Sequence, residues 1–301
     1  MLSIFQNIFL GALALNNYEV TNSEFTNSEF TNSEFIMKHN SENHSYIVTE
    51  NQFINTVYDN EFFNSNNHYL GNNSSNMILD LPITDKNSID WRDENKVSSI
   101  KNQGSCGGCW AFSSVGAVES VWAIKHNMLY NLSEQELIDC SLQNRGCAGG
   151  SMDLAFQYIM NNSLCTNLSY PYLANDGTCI SNQCKPIVHI SNYSNVYPNN
   201  ETLLKSAVAI QPVSVAIQAN KRSFQMYQSG IYSDPSCGFQ LDHGVLVVGY
   251  GYDDQYDMKY WIIKNSWGNN WGESGYIRIL RDSDDNRGLC GIAMDPSYPI
   301  V

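Results

Sequence analysis

Two cysteines three residues apart, Cys106 and Cys109, stand in the stretch QGSCGGCWAF at residues 103–112. A C-x-x-C pair can serve as a redox dithiol, as half of a zinc site, or as a structural cysteine beside a reactive one. A zinc site needs four ligands at suitable spacing, and no second C-x-x-C or H-x3-H completes one. A thioredoxin-type dithiol follows the first strand of a βαβ unit, whereas the pattern after Cys109 is helix after helix. The third reading makes Cys109 a nucleophile and ties up Cys106 in a disulfide. Cys109 opens a long helical stretch, where unpaired N–H groups and the helix dipole favour a thiolate.

A thiolate–imidazolium pair needs a histidine from elsewhere in the fold and a third group to orient its ring. Of six histidines, His39, His44 and His68 lie in an Asn-rich N-terminal region. His126 closes the helix that Cys109 begins, about 25 Å away at helical rise. His189 lies in a polar stretch beside Ile190 and reads as a surface residue. His243 stands just before the apolar run GVLVVGYG. A histidine at a strand end is more often structural than catalytic, so it is judged with its neighbours.

The elements that must position these residues follow from periodicity. CWAFSSVGAVESVWAIKH, from Cys109 to about His126, has small and apolar residues at helical spacing and no proline. Ser133 to Glu136 reads as a capping box ahead of Leu137 and Ile138. Residues 151–162 read as a third helix and 201–210 as a fourth, stopped before Pro212. Strand patterns follow at 213–218, 244–251, 260–265 and 275–280. Helices first and strands second predict an α+β protein with two segregated halves, and a cleft between halves is a usual place for a site.

The 301 residues carry a net charge of −14, which argues against nucleic acid as the main partner and against a polybasic membrane patch. All nine cysteines lie between Cys106 and Cys290. An odd count fits four disulfides and one free thiol in an oxidising compartment; the alternative is a cytosolic chain with unrelated buried thiols. MLSIFQNIFLGALAL is apolar and ends near Ala12-Leu13-Ala14, so residues 1–15 read as a signal peptide, although a basic n-region is missing. No later segment offers a long uncharged apolar run, so no stable membrane insertion is expected. Residues 21–35 repeat TNSEF three times and read as flexible low complexity, and a linker is expected near residues 71–82.

Several long stretches in order, SIDWRDENKVSSIKNQGSCGGCW, NLSEQELIDC, GCAGG, LDHGVLVVGYG and KNSWGNNWGESGYIRI, resemble the papain-like cysteine proteases, of cathepsin L-like type. His243 lies 134 residues and Asn265 156 residues after Cys109, within the range for that family. The resemblance covers residues 82–301. It implies a two-lobed α+β fold, with a helical left lobe, a β-barrel-like right lobe and the active-site cleft between them. It makes Cys109 the nucleophile, His243 its base and then its acid, and Asn265 the group that orients the imidazole. Gln103 and the backbone N–H of Cys109 would form the oxyanion hole. Trp267 would shield the Asn–His bond, a core tryptophan being the other reading, while Trp271 is expected to serve in packing. The sequence departs from the family at Gly108, where Ser or Ala is usual; glycine there is expected to loosen the loop.

The resemblance further implies the disulfides Cys106–Cys147, Cys140–Cys179 and Cys237–Cys290. Cys165 and Cys184 remain and resemble an additional bridge of the falcipain branch. Gly149 and Gly150 would pair with substrate backbone. Met152, Ala216, Leu241 and Gly244 would wall the pocket for the second residue before the scissile bond, which should take apolar side chains. Asp295 either floors that pocket and tolerates a basic side chain, or is a solvated loop aspartate.

No His-rich occluding insertion is present, so an endopeptidase is expected, with no metal and no cofactor. Residues 16–81 resemble a short, Asn-rich, reduced propeptide of a zymogen. Asn51-x-Phe53-x-Asn55 resembles the family's Asn-x-Phe-x-Asp, and Asn32-x3-Ile36-x3-Asn40 the tail of its ERFNIN helix. Asn22, Thr26 and Glu29 occupy the Glu, Arg and Phe positions, so weak inhibition is expected. Expected partners are polypeptide substrates, the chain's own propeptide and cystatin-type inhibitors; the enzyme should be a monomer of the secretory pathway, bound for lysosome or vacuole or secreted. The alternative is a non-catalytic or weakly active binding protein of the same fold.

Overall fold

The computed structural model describes residues 31–53 and 81–301. In chain order the helices and strands are α1 (Asn32–Ser41), β1 (Tyr46–Val48), β2 (Ile89–Asp90), α2 (Cys109–His126), α3 (Glu134–Cys140) and α4 (Met152–Asn162). There follow β3 (Asn192–Asn195), α5 (Glu201–Val208), β4 (Val213–Ile217), α6 (Arg222–Gln225), β5 (Tyr227–Tyr232), β6 (His243–Asp253), β7 (Met258–Lys264), β8 (Tyr276–Leu280) and β9 (Ser297–Ile300). The four helices and four strands expected from periodicity all form, shorter or longer by a few residues at their ends.

Helix α2 is buried on almost every side, from Cys109 through Val121, so it carries no polar stripe. It runs through the middle of the molecule and packs on α3, α4, β6 and β9. It stops at Asn127, whose left-handed backbone (φ 55°) lets its N–H donate to the Ala123 carbonyl. Only half of the capping box forms at α3. Ser133 Oγ accepts from the Glu136 N–H at 3.0 Å, but the Glu136 carboxylate turns away. It accepts instead from the Cys165 N–H at 2.8 Å and from the Tyr158 hydroxyl at 3.2 Å. A buried backbone donor without another partner outweighs the second arm of the cap.

The strands form one mixed sheet in the order β1-β5-β8-β7-β6-β4-β9-β3, with β2 also on β6. All pairs are antiparallel except β5 with β8. One apolar core lies among the helices and holds Trp110, Val115, Leu137, Phe156 and Ile159. A second lies on the sheet side and holds Val215, Phe224, Trp261, Ile263, Trp267 and Trp271.

Between them sits a buried ionic cluster. Lys101 Nζ donates to Glu119 Oε1 at 2.7 Å and to Glu134 Oε1. Lys264 Nζ donates to Ser98 Oγ at 2.8 Å, and Ser98 donates in turn to Glu119 Oε2. Beside it is a cavity of about 20 Å³, room for one water, which also touches Gly244, Asn265 and Ser266. Glu119 and Glu134 come from α2 and α3, whereas Lys264 ends β7, so the cluster spans both halves.

Four disulfides join Cys106 to Cys147, Cys140 to Cys179, Cys165 to Cys184 and Cys237 to Cys290, the pairings implied by the resemblance. Cys109 is the one cysteine left as a thiol.

The upstream segment docks on the sheet side. Thr31 and Glu34 form a complete capping box on α1. Asn40 closes the following turn, its Nδ2 donating to the Val48 carbonyl at 2.8 Å and its Oδ1 accepting from the Val48 N–H at 3.1 Å. Strand β1 then pairs with β5, Tyr46 opposite Gly230. The left-handed φ of Gly230 (95°) belongs to glycine, and a methyl group there would stand 2.3 Å from the Ser45 carbonyl oxygen. Asn51 Nδ2 donates to the Gln225 carbonyl at 2.8 Å, and Phe53 stacks on Trp267 with ring centroids 5.5 Å apart. The expectations for residues 1–15, the TNSEF repeat up to residue 30, Asn22, Thr26, Glu29, Asn55, His68 and most of the linker lie outside the described residues.

Candidate active site

Cys109 is the first residue of α2 and is fully buried. Its Sγ accepts the backbone N–H of Gly244 at 3.2 Å. That donor and the positive end of the helix both favour a charged sulfur. His243, the residue before Gly244, opens β6 and is also buried. The chain therefore brings imidazole and sulfur together by docking the start of one strand against the start of one helix.

The orientation of the His243 ring follows from its partner. Asn265 Oδ1 lies 2.8 Å from His243 Nε2 and accepts the Ser266 backbone N–H at 2.8 Å. An atom that accepts from a backbone N–H is the oxygen, so Nε2 carries a hydrogen and donates to it. Nδ1 is then the nitrogen that takes up a proton. Trp267 lies beside the His243 ring, centroids 4.9 Å apart, and is 1% exposed. Edge contacts to Phe224 and Trp271 hold it there. Trp267 is thus a core residue whose ring stands beside the imidazole it is expected to shield. Trp271 is buried, and its indole donates to the Gln225 carbonyl at 3.1 Å.

Gln103 is fully buried and held on every side. Its Nε2 donates to the Cys106 carbonyl at 3.0 Å, and its Oε1 accepts from Ser266 Oγ at 2.6 Å. Its backbone N–H donates to the Ser266 carbonyl at 2.8 Å, and its own carbonyl accepts from Tyr172 at 2.7 Å. The disulfide from Cys106 to Cys147 and the Gly107 N–H to Cys147 carbonyl bond (3.0 Å) anchor the next turn. Gly108 is less loose than its type suggests. Its φ is −92°, its N–H donates to the Cys106 carbonyl at 2.7 Å, and its carbonyl accepts from Ala111 and Phe112. A methyl group there would stand 3.1 Å from the Ile138 side-chain end, which would have to give by a few tenths of an ångström, and no special backbone angle requires glycine.

Of the residues expected to meet substrate, Gly150, Met152, Ala216 and Gly244 lie against Trp110 or against one another. Gly149 has a left-handed φ of 109°. A methyl group on Gly150 would stand 2.6 Å from both Asn144 Oδ1 and the Trp110 ring, so the interior already demands that glycine. Ala216 faces Gly244 in the register of β4 and β6. Met152 Sδ lies 3.2 Å from where a Gly244 methyl would be. Leu241 and Met294 similarly crowd Gly291, at 2.8 and 2.9 Å.

Asp295 follows Met294 and is 6% exposed, which overturns the solvated-loop reading. Burial first, and then Asp153, push its carboxyl up to about 8. Asp153 had no signal in the sequence beyond its place after Met152. The ionic cluster of Lys101, Glu119, Glu134 and Lys264 likewise has no local signature in the sequence. Of the other histidines described, His126 and His189 are exposed, and His39 and His44 belong to the upstream segment.

Residues 86–300 match the family model described as papain family cysteine protease. The thiol protease SEN102 of Hemerocallis is 53% identical over 215 residues, 71% of this chain and 59% of that protein. The chain thus spans about three fifths of that relative's length. The proform of Amb a 11, a cysteine protease and major ragweed pollen allergen, superposes with a TM-score of 0.81 at 36% identity, over 89% of this chain and 86% of that one. Digestive procathepsin L 3 of Tenebrio molitor larval midgut does so with a TM-score of 0.77 at 39% identity, over 89% and 88%.

Proposed function

The chain belongs to the papain family of cysteine proteases, and from that premise we propose that it is a cysteine endopeptidase made as a zymogen. The observation that carries the reading is the junction of α2 and β6. Cys109 Sγ accepts from the residue next to His243, and His243 Nε2 donates to Asn265 Oδ1.

In this reading the Cys109 thiolate attacks the carbonyl carbon of a peptide bond. The negative oxygen that develops accepts hydrogen bonds from the Cys109 backbone N–H and from the Gln103 side-chain amide. Preorganised donors of this kind are worth about 3 kcal/mol each in the transition state. The His243 imidazolium gives its proton to the leaving amine, and an acyl-enzyme remains. His243 then takes a proton from water, whose oxygen attacks the thioester, and the carboxylic product leaves with the thiolate restored. Asn265 keeps the ring in one tautomer throughout.

Specificity is assigned to the pocket of Met152, Ala216, Leu241 and Gly244, with Asp295 at its floor. Apolar second residues fit it, and basic ones are tolerated when Asp295 is charged. Gly149 and Gly150 line the path of the substrate backbone. The peptidase domain is taken as residues 82–301 and the propeptide as 16–81, behind a signal peptide at 1–15. The similar proforms and the docking of α1, β1 and Phe53 on the sheet side support a zymogen. A cathepsin L-like placement is supported by the likeness to procathepsin L 3, while the likeness to falcipains rests on the Cys165–Cys184 bridge alone. The four disulfides support a place in the secretory pathway; the enzyme is taken as a monomer, ending in lysosome or vacuole or outside the cell, where cystatin-type inhibitors would meet it.

Labelling with an epoxysuccinyl inhibitor tests the reading. Acid-processed wild type should take up one equivalent, and Cys109→Ala none. A processed wild type that takes up no label would defeat the assignment.

A further inference from the structure

Six Asn-x-Ser/Thr sequons fall on described residues, at Asn43, Asn131, Asn161, Asn167, Asn192 and Asn200. Each has the pattern that accepts an N-linked glycan. The fold separates them. Asn200 caps α5, its Oδ1 accepting the Leu203 N–H at 2.9 Å, and Asn192 opens β3 half-buried. Asn161 lies inside α4 with its Nδ2 donating to the Gln157 carbonyl at 2.8 Å, and Asn167 Oδ1 accepts the Tyr172 N–H at 3.2 Å. Asn43 and Asn131 are exposed, and neither side chain makes a hydrogen bond to another described residue. Asn43 belongs to the upstream segment, which leaves Asn131 as the open acceptor of the peptidase domain. Asn131 ends a loop that begins at Asn127, past the end of α2. Met128 and Leu129 of that loop are exposed, and so is Leu168 beside it. The Asn167 N–H brings Leu168 there by donating to the Asn131 carbonyl at 2.9 Å, next to the bridge of Leu132 with Thr166. An exposed loop of irregular backbone is where proteases nick a folded chain. With Leu129 as second residue before it, the Tyr130–Asn131 bond suits the apolar pocket assigned to this enzyme itself.

We propose that Asn131 carries an N-linked glycan that shields the 127–131 loop from cleavage by other copies of the enzyme. The proposal rests on the secretory and endopeptidase readings given above. The donor is an oligosaccharide on a polyprenyl diphosphate. Asn131 Nδ2 bonds to the sugar C1 and loses one proton, and the polyprenyl diphosphate leaves with the electron pair of the C1–O bond. Ser133, the last residue of the sequon, is fully buried in the folded chain. Its Oγ accepts the Glu136 N–H at 3.0 Å and donates to the Tyr170 carbonyl at 2.7 Å. The sequon is therefore read before α3 docks, while the Asn131 side chain stays outside afterwards. The glycan leaves the cleft open. The next residue, Leu132, donates its N–H to Glu119 Oε1 at 2.8 Å, and Glu119 lies about 15 Å along α2 from Cys109 at helical rise.

The test uses the full chain exported from a eukaryotic host, as wild type and as Asn131→Gln. Peptide mapping after treatment with an amidase that releases N-linked glycans should find Asn131 converted to aspartate. After acid processing, with active sites counted by epoxysuccinyl titration, the two proteins should show equal kcat/KM on a short peptide. On prolonged incubation Asn131→Gln should lose intact chain severalfold faster, with a nick between residues 130 and 131. Wild type deglycosylated in its native state should match it, which assigns the protection to the glycan and not to the asparagine. An exported chain with a single free thiol and an unmodified Asn131 defeats the proposal and leaves the secretory reading standing. A chain that stays inside the cell with all its thiols free defeats the secretory reading as well. A glycosylated Asn131 with equal lifetimes in the two proteins overturns the shield. A processed wild type that takes up no inhibitor defeats the endopeptidase reading and the shield with it, while the mapping still decides the modification.

Discussion

Ser266 holds Gln103 twice: its hydroxyl donates to Gln103 Oε1 at 2.6 Å, and its carbonyl accepts the Gln103 backbone N–H at 2.8 Å. Residue 266 follows Asn265 off the end of β7, while residue 103 leads into α2. The side chain assigned to orient the imidazole and the one assigned to the oxyanion are thereby built into one unit across the boundary between helices and sheet.

Gln103→Ala should lower kcat by about 10²-fold with little change in KM, since its amide acts on charge that develops only in the transition state. Ser266→Ala should lower kcat by a smaller factor, because Gln103 keeps its bond to the Cys106 carbonyl. Steady-state kinetics with titrated active sites checks both. An unchanged kcat in Ser266→Ala would mean that Cys106 alone suffices to hold Gln103.

Lys264 should leave a mark on alkaline stability. Burial holds its ammonium down at about 8, opposed by Glu119 and Glu134 and reinforced by Lys101. An unfolded lysine titrates near about 10.4. Between these values the folded chain has released a proton that the unfolded chain still binds, so stability should rise with pH across that window. Lys264→Met should remove the rise. Urea unfolding at several pH values between 7.5 and 10.5, in the Cys109→Ala background, measures the slope, and an identical slope in both proteins would refute this account.

His39 should sense acid during processing. Its ring stacks on His44 with centroids 4.0 Å apart, and its Nε2 lies 3.2 Å from the Tyr46 carbonyl oxygen. Burial, and then His44, lower its proton affinity, against the pull of the Tyr46 carbonyl, Asp234 and Glu42. The docked segment therefore binds fewer protons than a released one. Docking is at full strength above the free histidine value of about 6.5 and weakens as pH falls below it. His39→Phe keeps a ring in the stack but removes the charge, and should slow cleavage of the full chain at acid pH. Equal rates on a gel time course would place the acid sensitivity elsewhere.

Asp295 should lower stability as pH rises. Its carboxyl keeps a proton up to about 8, whereas an unfolded aspartate loses it near about 4. Stability should therefore decline from about pH 4 to about pH 8. Asp295→Asn should match wild type in Tm at pH 4 and exceed it at pH 7.5, again with Cys109→Ala to prevent self-cleavage. A variant less stable than wild type at both values would contradict it.

The catalytic candidates were legible because each stands inside a long motif, and the apolar runs at 213–218 and 244–251 mark buried strands without ambiguity. The ionic cluster was not legible. Glu119 lies in a helix that is buried on all sides, so no polar stripe sets a solvent-facing glutamate apart from a buried one. Its partners, Lys101 and Ser98, are 18 and 21 residues away and meet it only after folding. Glu136 shows the same limit at shorter range: the capping pattern is real, yet Cys165, 29 residues on, takes its carboxylate. The burial of Asp295 comes only with the folded chain, and no local pattern announces it.

Eight of the nine cysteines are consumed in bridges, and the ninth is the proposed nucleophile, fully buried in the described chain. Each molecule is thus its own stoichiometric standard. Thiol released on unfolding without reductant counts chains, and thiol that reacts in the native state counts competent sites. The quotient is the matured fraction of any preparation, obtained with no substrate and no antibody.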